Sequence, residues 1–375
     1  MQKICYVDED GRFGGPQQRM LIVADELKKH NINVEFLIPN NEVELFKIKL
    51  QEKKLHYQQI NLTRLSLRPI YLIKYIFFFI FEVLQLIKLF KKKKYSIIQA
   101  NSTPHFKAII AAAFLKIDSV WVIEDSYFPE IIVFIFRSLA KISNCRIVYT
   151  SQKVKEFYFD KRSELKNHKV EIFAPADIKK FDVNLKHSLP DYISKNKIII
   201  TTVAGIVPVK GIEYFIKAAD ILVTKYDKVE FLIAGAKITS QTKYSKKIDK
   251  LLKNKNYIKY LGMVENVAQL LRYSDVFVCS SISEAGPITV YEAMLMKKPV
   301  VTTNVGAVSQ IINNNNNGLI VPVKNSEEIA MAIEKLIFDK QLRENIANNA
   351  LNFSKEFFSL KKIIDKYKQV YNFSK

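Results

Sequence analysis

Residues 276–322 read VFVCSSISEAGPITVYEAMLMKKPVVTTNVGAVSQIINNNNNGLIVP. Three short β-rich runs lie in this stretch: Val276–Cys279, Val300–Thr302 and Gly318–Pro322. Between the first two, Ala285–Met296 reads as a helix. The same rhythm holds upstream. Strand Ile198–Val203 is followed by helix Ile212–Tyr226, whose apolar positions are Tyr214, Phe215, Ala218, Ala219 and Leu222. Strands Val229–Ala234, ending in Gly235, and Tyr260–Gly262 come next, and Ser326–Phe338 supplies a helix downstream. Strands alternating with helices predict a parallel sheet covered by helices on both faces.

The first half of the chain carries the pattern too. Strands are expected at Ile4–Val7, Asn33–Ile38, Ile97–Ala100, Ser119–Ile123, Ile147–Thr150 and Val170–Phe173. Helices are expected at Gln17–His30, Phe106–Leu115 and Val154–Phe159. Runs such as SIIQA and VWVI are apolar on both sides, as strands buried on both faces are. The expected fold class is α/β, with two doubly wound parallel-sheet halves in series. Turn and charged residues collect near Asp177–Lys197, which marks the boundary.

The chemistry-bearing residues start from the same stretch. Glu284 and Glu292 are eight positions apart, and Gly286-Pro287 precedes the expected helix. Ile288 and Thr289 then offer N-terminal N–H groups, which favour phosphate. A carboxylate at Glu292 is placed to accept two vicinal hydroxyls of a ribose, as acids do in other α/β nucleotide sites. There is no G-x-G-x-x-G after the first strand and no G-x-x-x-x-G-K-[ST] anywhere, so dinucleotide and P-loop readings lose their motif support. Gly14 and Gly15 stand just before a helix, where an anion or a tight turn fits equally well.

Composition narrows the field. The chain has 375 residues, of which 49% are hydrophobic, so general disorder is excluded. Its net charge is +21, and residues 45–100 alone hold 12 basic and 2 acidic side chains. Nucleic acid or an anionic membrane surface would suit that charge. No nucleic-acid partner is expected, because no helix-turn-helix, RRM or zinc module is visible and the aromatics do not interleave with lysines as stacking platforms. The three cysteines, Cys5, Cys145 and Cys279, are far apart and read as buried thiols in a reducing cytosol. The Asp8–Asp10 run reads as a solvated loop, not a metal site.

One segment breaks the rhythm: RPIYLIKYIFFFIFEVLQLIKLFKKKK, Arg68–Lys94. As a helix it places Ile73, Phe77, Ile80, Leu84 and Ile87 on one stripe. Three readings stand open. It is a sheet-flanking helix, a membrane-surface helix with lysines meeting anionic lipid, or a transmembrane span, against which Lys74, Glu82 and Lys88 count heavily.

Ser280–Pro322 resembles the signature region of GT-B glycosyltransferases, the retaining group known as family 4 or the glycogen phosphorylase-like group. Val203–Ala219, with Lys210-Gly211, is similar to that family's Gly–Lys loop, and Val229–Gly235, Leu261-Gly262, Pro299–Thr302, Val305-Gly306 and Asn317–Leu319 continue the likeness. Gly14-Gly15-Pro16 and Phe173–Phe181 resemble it more loosely. The resemblance implies two Rossmann-like domains facing across a cleft. It sets residues 1–180 as the acceptor-binding domain and 181–355 as the nucleotide-sugar-binding domain, with a last helix, 356–375, packing back on the first. It also implies roles. Glu292 would hold the ribose, Lys210 would neutralise the diphosphate, and Gly286, Pro287, Ile288 and Thr289 would contact phosphate or sugar. Gly205, Gly235 and Val264 would line the donor pocket, Gly14 and Gly15 an acceptor or phosphate loop, and no metal or other cofactor is needed. Glu284, Glu124 and Asp125 would be the catalytic set, Glu284 on the donor sugar.

Two departures stand out. Ile206 and Val207 occupy positions where the family usually has a second cation, leaving Lys210 alone unless Lys237 helps. Glu124-Asp125 stands where the family often has His-Asp. The expected function is retaining transfer from a UDP- or GDP-type donor to a glycan or lipid-linked acceptor. The expected place is the cytoplasmic membrane face, in polysaccharide or lipopolysaccharide synthesis, with Arg68–Lys94 on anionic lipid. The alternative is a catalytically impaired partner subunit of an active transferase.

Overall fold

A computed structural model describes residues 3–66, 68–159, 168–238 and 241–372. The chain forms two compact units, Met1–Pro175 with Leu360–Lys375, and Ala176–Ser359. The sequence reading set these boundaries at 180/181 and 355/356.

The first unit is built on strands β1 (Lys3–Val7), β2 (Asn33–Pro39), β3 (His56–Ile60), β4 (Ile97–Asn101), β5 (Asp118–Ile123), β6 (Arg146–Tyr149) and β7 (Lys169–Glu171). They pair in the order β3-β2-β1-β4-β5-β6-β7, all parallel. Helices α1 (Gly15–Lys29), α2 (Glu44–Glu52), α3 (Pro69–Lys93), α4 (Phe106–Phe114), α5 (Glu130–Ser143) and α6 (Gln152–Tyr158) connect them. The order reverses between β1 and β4, so their carboxyl ends frame a crevice of the kind in which open α/β sheets bind ligands.

The second unit has strands β8 (Ile198–Val203), β9 (Val229–Ala234), β10 (Ile258–Gly262), β11 (Val276–Cys279), β12 (Val300–Thr303) and β13 (Leu319–Val321), in the order β10-β9-β8-β11-β12-β13. Its helices are α7 (Ile212–Val223), α8 (Thr242–Leu252), α9 (Val267–Arg272), α10 (Ile288–Leu295), α11 (Val308–Ile311), α12 (Ser326–Phe338) and α13 (Lys340–Phe357). Here the order reverses between β8 and β11. A final helix, α14 (Leu360–Asn372), belongs to the first unit, where Ile363, Ile364, Tyr367, Val370 and Tyr371 join the core. Tyr371 seals the joint: its hydroxyl donates to Gln99 Oε1 (2.7 Å) and lies 2.7 Å from the Tyr6 hydroxyl.

Three sequence expectations change. α10 begins at Ile288, three residues later than expected, because Pro287 holds an extended conformation as its cap. Strand β3, HYQQI, was not anticipated; it is an edge strand and carries polar residues. The Asp8–Asp10 run is not a solvated loop. Asp8 and Glu9 are both buried, Asp8 accepting from Gln17 (2.7 Å) and Glu9 lying 3.2 Å from Lys107 Nζ.

Helix α3 is long and apolar enough to cross a membrane by length and composition. It is also the crossover from β3 to β4, and it buries Tyr75, Glu82, Val83, Leu86 and Phe90 against its own unit. Glu82 accepts from Lys107 of α4 (2.6 Å). A helix tied at both ends to one sheet lies along that sheet, which removes the transmembrane reading. Its other side is bare, with Ile70, Ile73, Ile76, Phe77, Ile80, Phe81 and Leu84 all exposed.

Candidate active site

The second unit's crevice lies between the loops that follow β8 and β11. The first loop ends in a short 3-10 turn, Pro208–Lys210, and Gly211. Gly211 sits at φ +60°, and a Cβ there would fall 2.3 Å from the Ser280 carbonyl oxygen, so only glycine lets the loops approach this closely. Ile282 N–H donates to Val209 O (2.7 Å) and Ser280 Oγ to Lys210 O (3.2 Å), which ties the two loops together.

This approach brings together two residues 74 positions apart. Lys210 Nζ donates to Glu284 Oε1 in an ion pair, and Ser281 Oγ donates to the same oxygen (2.8 Å). Burial alone would lower the Lys210 ammonium, but Glu284 outweighs it and holds the pKa above the ordinary lysine value. The sequence nominated both residues without indicating that they pair. Ser280 and Ser281, which fix the pair, were missed; their only signal was polar side chains directly after a buried strand.

A third loop braces the second. Gly306, at φ +50°, lies under Ala285, and a Cβ would be 2.3 Å from the Ala285 oxygen and 2.6 Å from the Glu284 oxygen. Ala307 N–H donates to Ala285 O (3.0 Å), and Thr303 Oγ1 to Ser281 O (2.6 Å). Gly306→Ala is therefore expected to cost about 2–4 kcal/mol, from left-handed strain plus two carbonyl clashes. Urea unfolding measures it; a loss below 1 kcal/mol would mean that the loop approach is looser than described.

Beyond Gly286-Pro287, the first-turn N–H groups of Ile288 and Thr289 have no intrahelical acceptor. Glu292 is buried on the same helix. Tyr291, missed by the sequence reading, stacks on Phe358 with ring centroids 4.2 Å apart, and burial pushes its hydroxyl pKa up. Gly205 and Gly235 follow β8 and β9, while Val264 lies past β10 and packs on the cluster of Ile199, Leu232 and Leu270. Ile206 is buried, and Lys237 pairs with Asp249 (2.6 Å) and lies over the Tyr260 ring. Lys210 is thus the cation that the β8 and β11 loops present.

The remaining nominated residues lie in the first unit. Glu124 directly follows β5 and pairs with buried Arg19 of α1 (3.4 Å), whose guanidinium also donates to Asn101 (3.3 Å). Burial raises the Glu124 pKa and Arg19 opposes it. Asp125 accepts from Tyr158 and from Thr103 Oγ1 (3.3 Å), and burial pushes its pKa up to about 6. Asp125 therefore anchors loops, whereas Glu124 is a carboxylate held by one long contact. Arg19 was missed because, after Gln17 and Gln18 and before the apolar run Met20–Ala24, it reads as one more polar residue at the start of a helix. Gly14 caps α1, its N–H donating to Gln17 Oε1 (3.0 Å), and Gly15 opens the helix. Among the described residues, no three of His, Cys, Asp and Glu gather as metal ligands would.

Comparison with known proteins agrees with this architecture. Residues 190–353 match the family described as glycosyl transferases group 1. The chain is 26% identical over 359 residues to the N,N'-diacetylbacillosaminyl-diphospho-undecaprenol alpha-1,3-N-acetylgalactosaminyltransferase of Campylobacter jejuni, covering 88% of this chain and 89% of that one. It is 27% identical over 228 residues to the UDP-Gal:alpha-D-GlcNAc-diphosphoundecaprenol alpha-1,3-galactosyltransferase of Escherichia coli, covering 58% and 56% of the two chains. Among solved structures, Anabaena HepE in complex with UDP and glucose superposes with a TM-score of 0.82 at 20% identity, over 98% of this chain and 99% of that one, a likeness of fold. With residues 190–353 similar to the group 1 glycosyl transferases, the chain is a glycosyl-transferring enzyme of GT-B fold.

Proposed function

We propose that this enzyme moves a sugar, with retention, from a UDP- or GDP-linked donor to a lipid-linked glycan acceptor. It would act at the cytoplasmic face of the membrane, in cell-surface polysaccharide or lipopolysaccharide synthesis. The observation that carries this is the Lys210–Glu284 pair at the β8/β11 crevice, beside the N-terminus of α10. A leaving nucleoside diphosphate gains charge in the transition state. An ammonium and helix N–H groups already oriented there stabilise that charge without reorganising. In this reading Lys210 takes the diphosphate, Glu284 accepts from donor-sugar hydroxyls, Glu292 holds the ribose, and no metal is required. Glu124, held by Arg19, accepts from the transferred sugar.

The acceptor class rests on two supports. Relatives at 26% and 27% identity are named for diphospho-undecaprenol substrates. The bare apolar face of α3, followed by Lys91, Lys92 and Lys94, has the chemistry of a helix lying on anionic lipid. On α5, Ile131, Phe134 and Ile142 add exposed apolar side chains to the same unit.

The test is a thermal-shift panel of UDP, GDP, CMP, ADP and NAD on the wild type. A ligand at 100 times its Kd adds about 2.7 kcal/mol of stability. Stabilisation by UDP or GDP alone is expected. Silence from every nucleotide would replace this reading with the impaired-partner alternative.

A further inference from the structure

A chain of hydrogen bonds runs through the core of the first unit, from its last helix to Glu124. Tyr371 of α14 donates to Gln99 Oε1 at 2.7 Å. Gln99 Nε2 donates to Asn101 Oδ1 at 2.8 Å. Arg19 Nη2 donates to that same Asn101 oxygen (3.3 Å) and to Glu124 Oε1 (3.4 Å). The links come from α14, β4, α1 and the residue after β5. Tyr371, Gln99, Asn101 and Arg19 are each at most 1% exposed, whereas 9% of the Glu124 side chain is exposed. Glu124 is thus the member of the chain that a ligand can reach.

The chain has a fixed direction. A guanidinium only donates, so the Asn101 atom facing Arg19 is its oxygen. Gln99 must then turn its NH2 group toward Asn101 and its oxygen toward Tyr371. That oxygen only accepts, so the Tyr371 hydroxyl donates to it. The Tyr6 hydroxyl, 2.7 Å from that of Tyr371, is left to donate to Tyr371. Two amides are therefore oriented by a cation at one end and a phenol at the other. Arg19 needs this support. Its contacts to Asn101 and Glu124 share one nitrogen and are long, and its Nη1 has no hydrogen-bond partner among the described residues.

The guanidinium also decides what Glu124 can do. A carboxyl group accepts through both oxygens only when it is ionised. Burial works against that charge and Arg19 works for it. Among the described residues, the other titratable groups acting on Glu124 are Asp8 past β1, Asp125, Tyr127, and Tyr367 of α14, none of them a cation.

We infer that α14 reaches the Glu124 site: Tyr371, Gln99 and Asn101 lock the Arg19 guanidinium against Glu124, and Arg19 and Tyr371 are positioning residues that keep this carboxylate a hydroxyl acceptor. The inference rests on the reading above in which Glu124 accepts from the transferred sugar.

The first measurement needs no substrate. Full-length protein labelled with carbon-13 at the glutamate side-chain carboxyls is titrated by NMR, and Glu124→Gln identifies the Glu124 resonance by its loss. Arg19→Gln should make Glu124 titrate about 1 pH unit or more higher, because a close opposite charge favours ionisation by at least that much. Tyr371→Phe should move it the same way by less, since Gln99 Oε1 loses its donor and the amide is free to turn. Tyr6→Phe should leave it in place, because Tyr371 still donates. Those two variants each delete one hydroxyl from the same buried pair, so a mere packing defect would move both alike. Their comparison carries the test if Arg19→Gln does not fold. Nucleotide thermal shifts should be unchanged in all three. An unmoved Glu124 in folded Arg19→Gln, or equal movement in Tyr371→Phe and Tyr6→Phe, would overturn the relay.

The second measurement separates the relay from the reading beneath it. The readout is release of UDP or GDP to water from UDP-glucose, UDP-galactose, UDP-N-acetylglucosamine, UDP-N-acetylgalactosamine and GDP-mannose. Arg19→Gln is expected to lower kcat about tenfold or more, the value of one hydrogen bond to a charged group, and Arg19→Lys to recover part of it. Wild-type protein that releases neither nucleotide, or Glu124→Gln that releases one at the wild-type rate, would overturn the transfer role of Glu124, and with it the use of the relay, whatever the titrations show.

Discussion

Lys210→Ala is expected to reduce turnover by 100-fold to 1,000-fold while leaving the fold in place. The magnitude follows from the charge count. A single preorganised group that stabilises developing negative charge contributes about 2.7–4 kcal/mol to the barrier. Among the described residues no second cation stands at the positions flanking this loop, because Ile206 is buried and Lys237 is engaged with Asp249. Glu284→Gln probes the other half of the pair. The amide keeps the shape and still accepts from Ser281, but it no longer fixes the Lys210 ammonium. Its expected effect is therefore smaller, about tenfold, and it should fall on donor-sugar selectivity more than on nucleotide binding. Initial rates against donor concentration separate the cases. A group acting only in the transition state lowers kcat and kcat/KM together, whereas uniform binding raises KM alone. Lys210→Ala with unchanged kcat would remove the lysine from the chemistry and leave it a purely structural partner of Glu284.

The parts of this site that were legible in the sequence are those written locally. Strands Ile198–Val203, Val229–Ala234 and Val276–Cys279 are observed with the bounds read from sequence, because a strand buried on both faces is a contiguous apolar run with sharp ends. Edge strand β3 could not be read this way: HYQQI has no apolar periodicity, and only pairing with β2 makes it a strand. The same division holds for chemistry. Lys210 and Glu284 could each be nominated from neighbouring glycines, but their pairing depends on a close loop approach that Gly211 permits against Ser280, 69 residues further along the chain. Asp8 and Glu9 were misread for the opposite reason. Consecutive acids usually face water, and the residues that bury them, Gln17 and Lys107, are partners only after folding. Arg19 was invisible because a cation at the start of an apolar helical run gives no sign of the carboxylate it will meet, here Glu124 just past β5.

The largest expected effect outside the crevice concerns α3. Phe77→Glu with Ile80→Glu is expected to weaken binding to vesicles containing anionic phospholipid by at least 100-fold. Both side chains are about two-thirds exposed, 67% and 68%, so neither contributes to the core and thermal stability should change little. Burying one such side chain in an apolar medium is worth about 1.5–3 kcal/mol. Losing two removes about 3 kcal/mol or more, before the cost of bringing two carboxylates to the interface. The basic run acts through a separate, screenable term. Each lysine near an anionic surface contributes about 1 kcal/mol. Lys93 is already paired with Glu35 at 2.8 Å, which leaves Lys91, Lys92 and Lys94 to meet lipid. Lys91→Gln with Lys92→Gln should therefore weaken binding about 30-fold at low ionic strength and progressively less as salt rises, whereas the Phe77/Ile80 defect should persist in high salt. Flotation with phosphatidylglycerol vesicles at two salt concentrations resolves both terms. Wild-type protein that fails to float at either salt would remove the membrane from the account of α3. Its apolar face would then have to be covered by protein, and the lipid-linked acceptor would lose its structural support, leaving only the likeness to enzymes of diphospho-undecaprenol substrates in its favour.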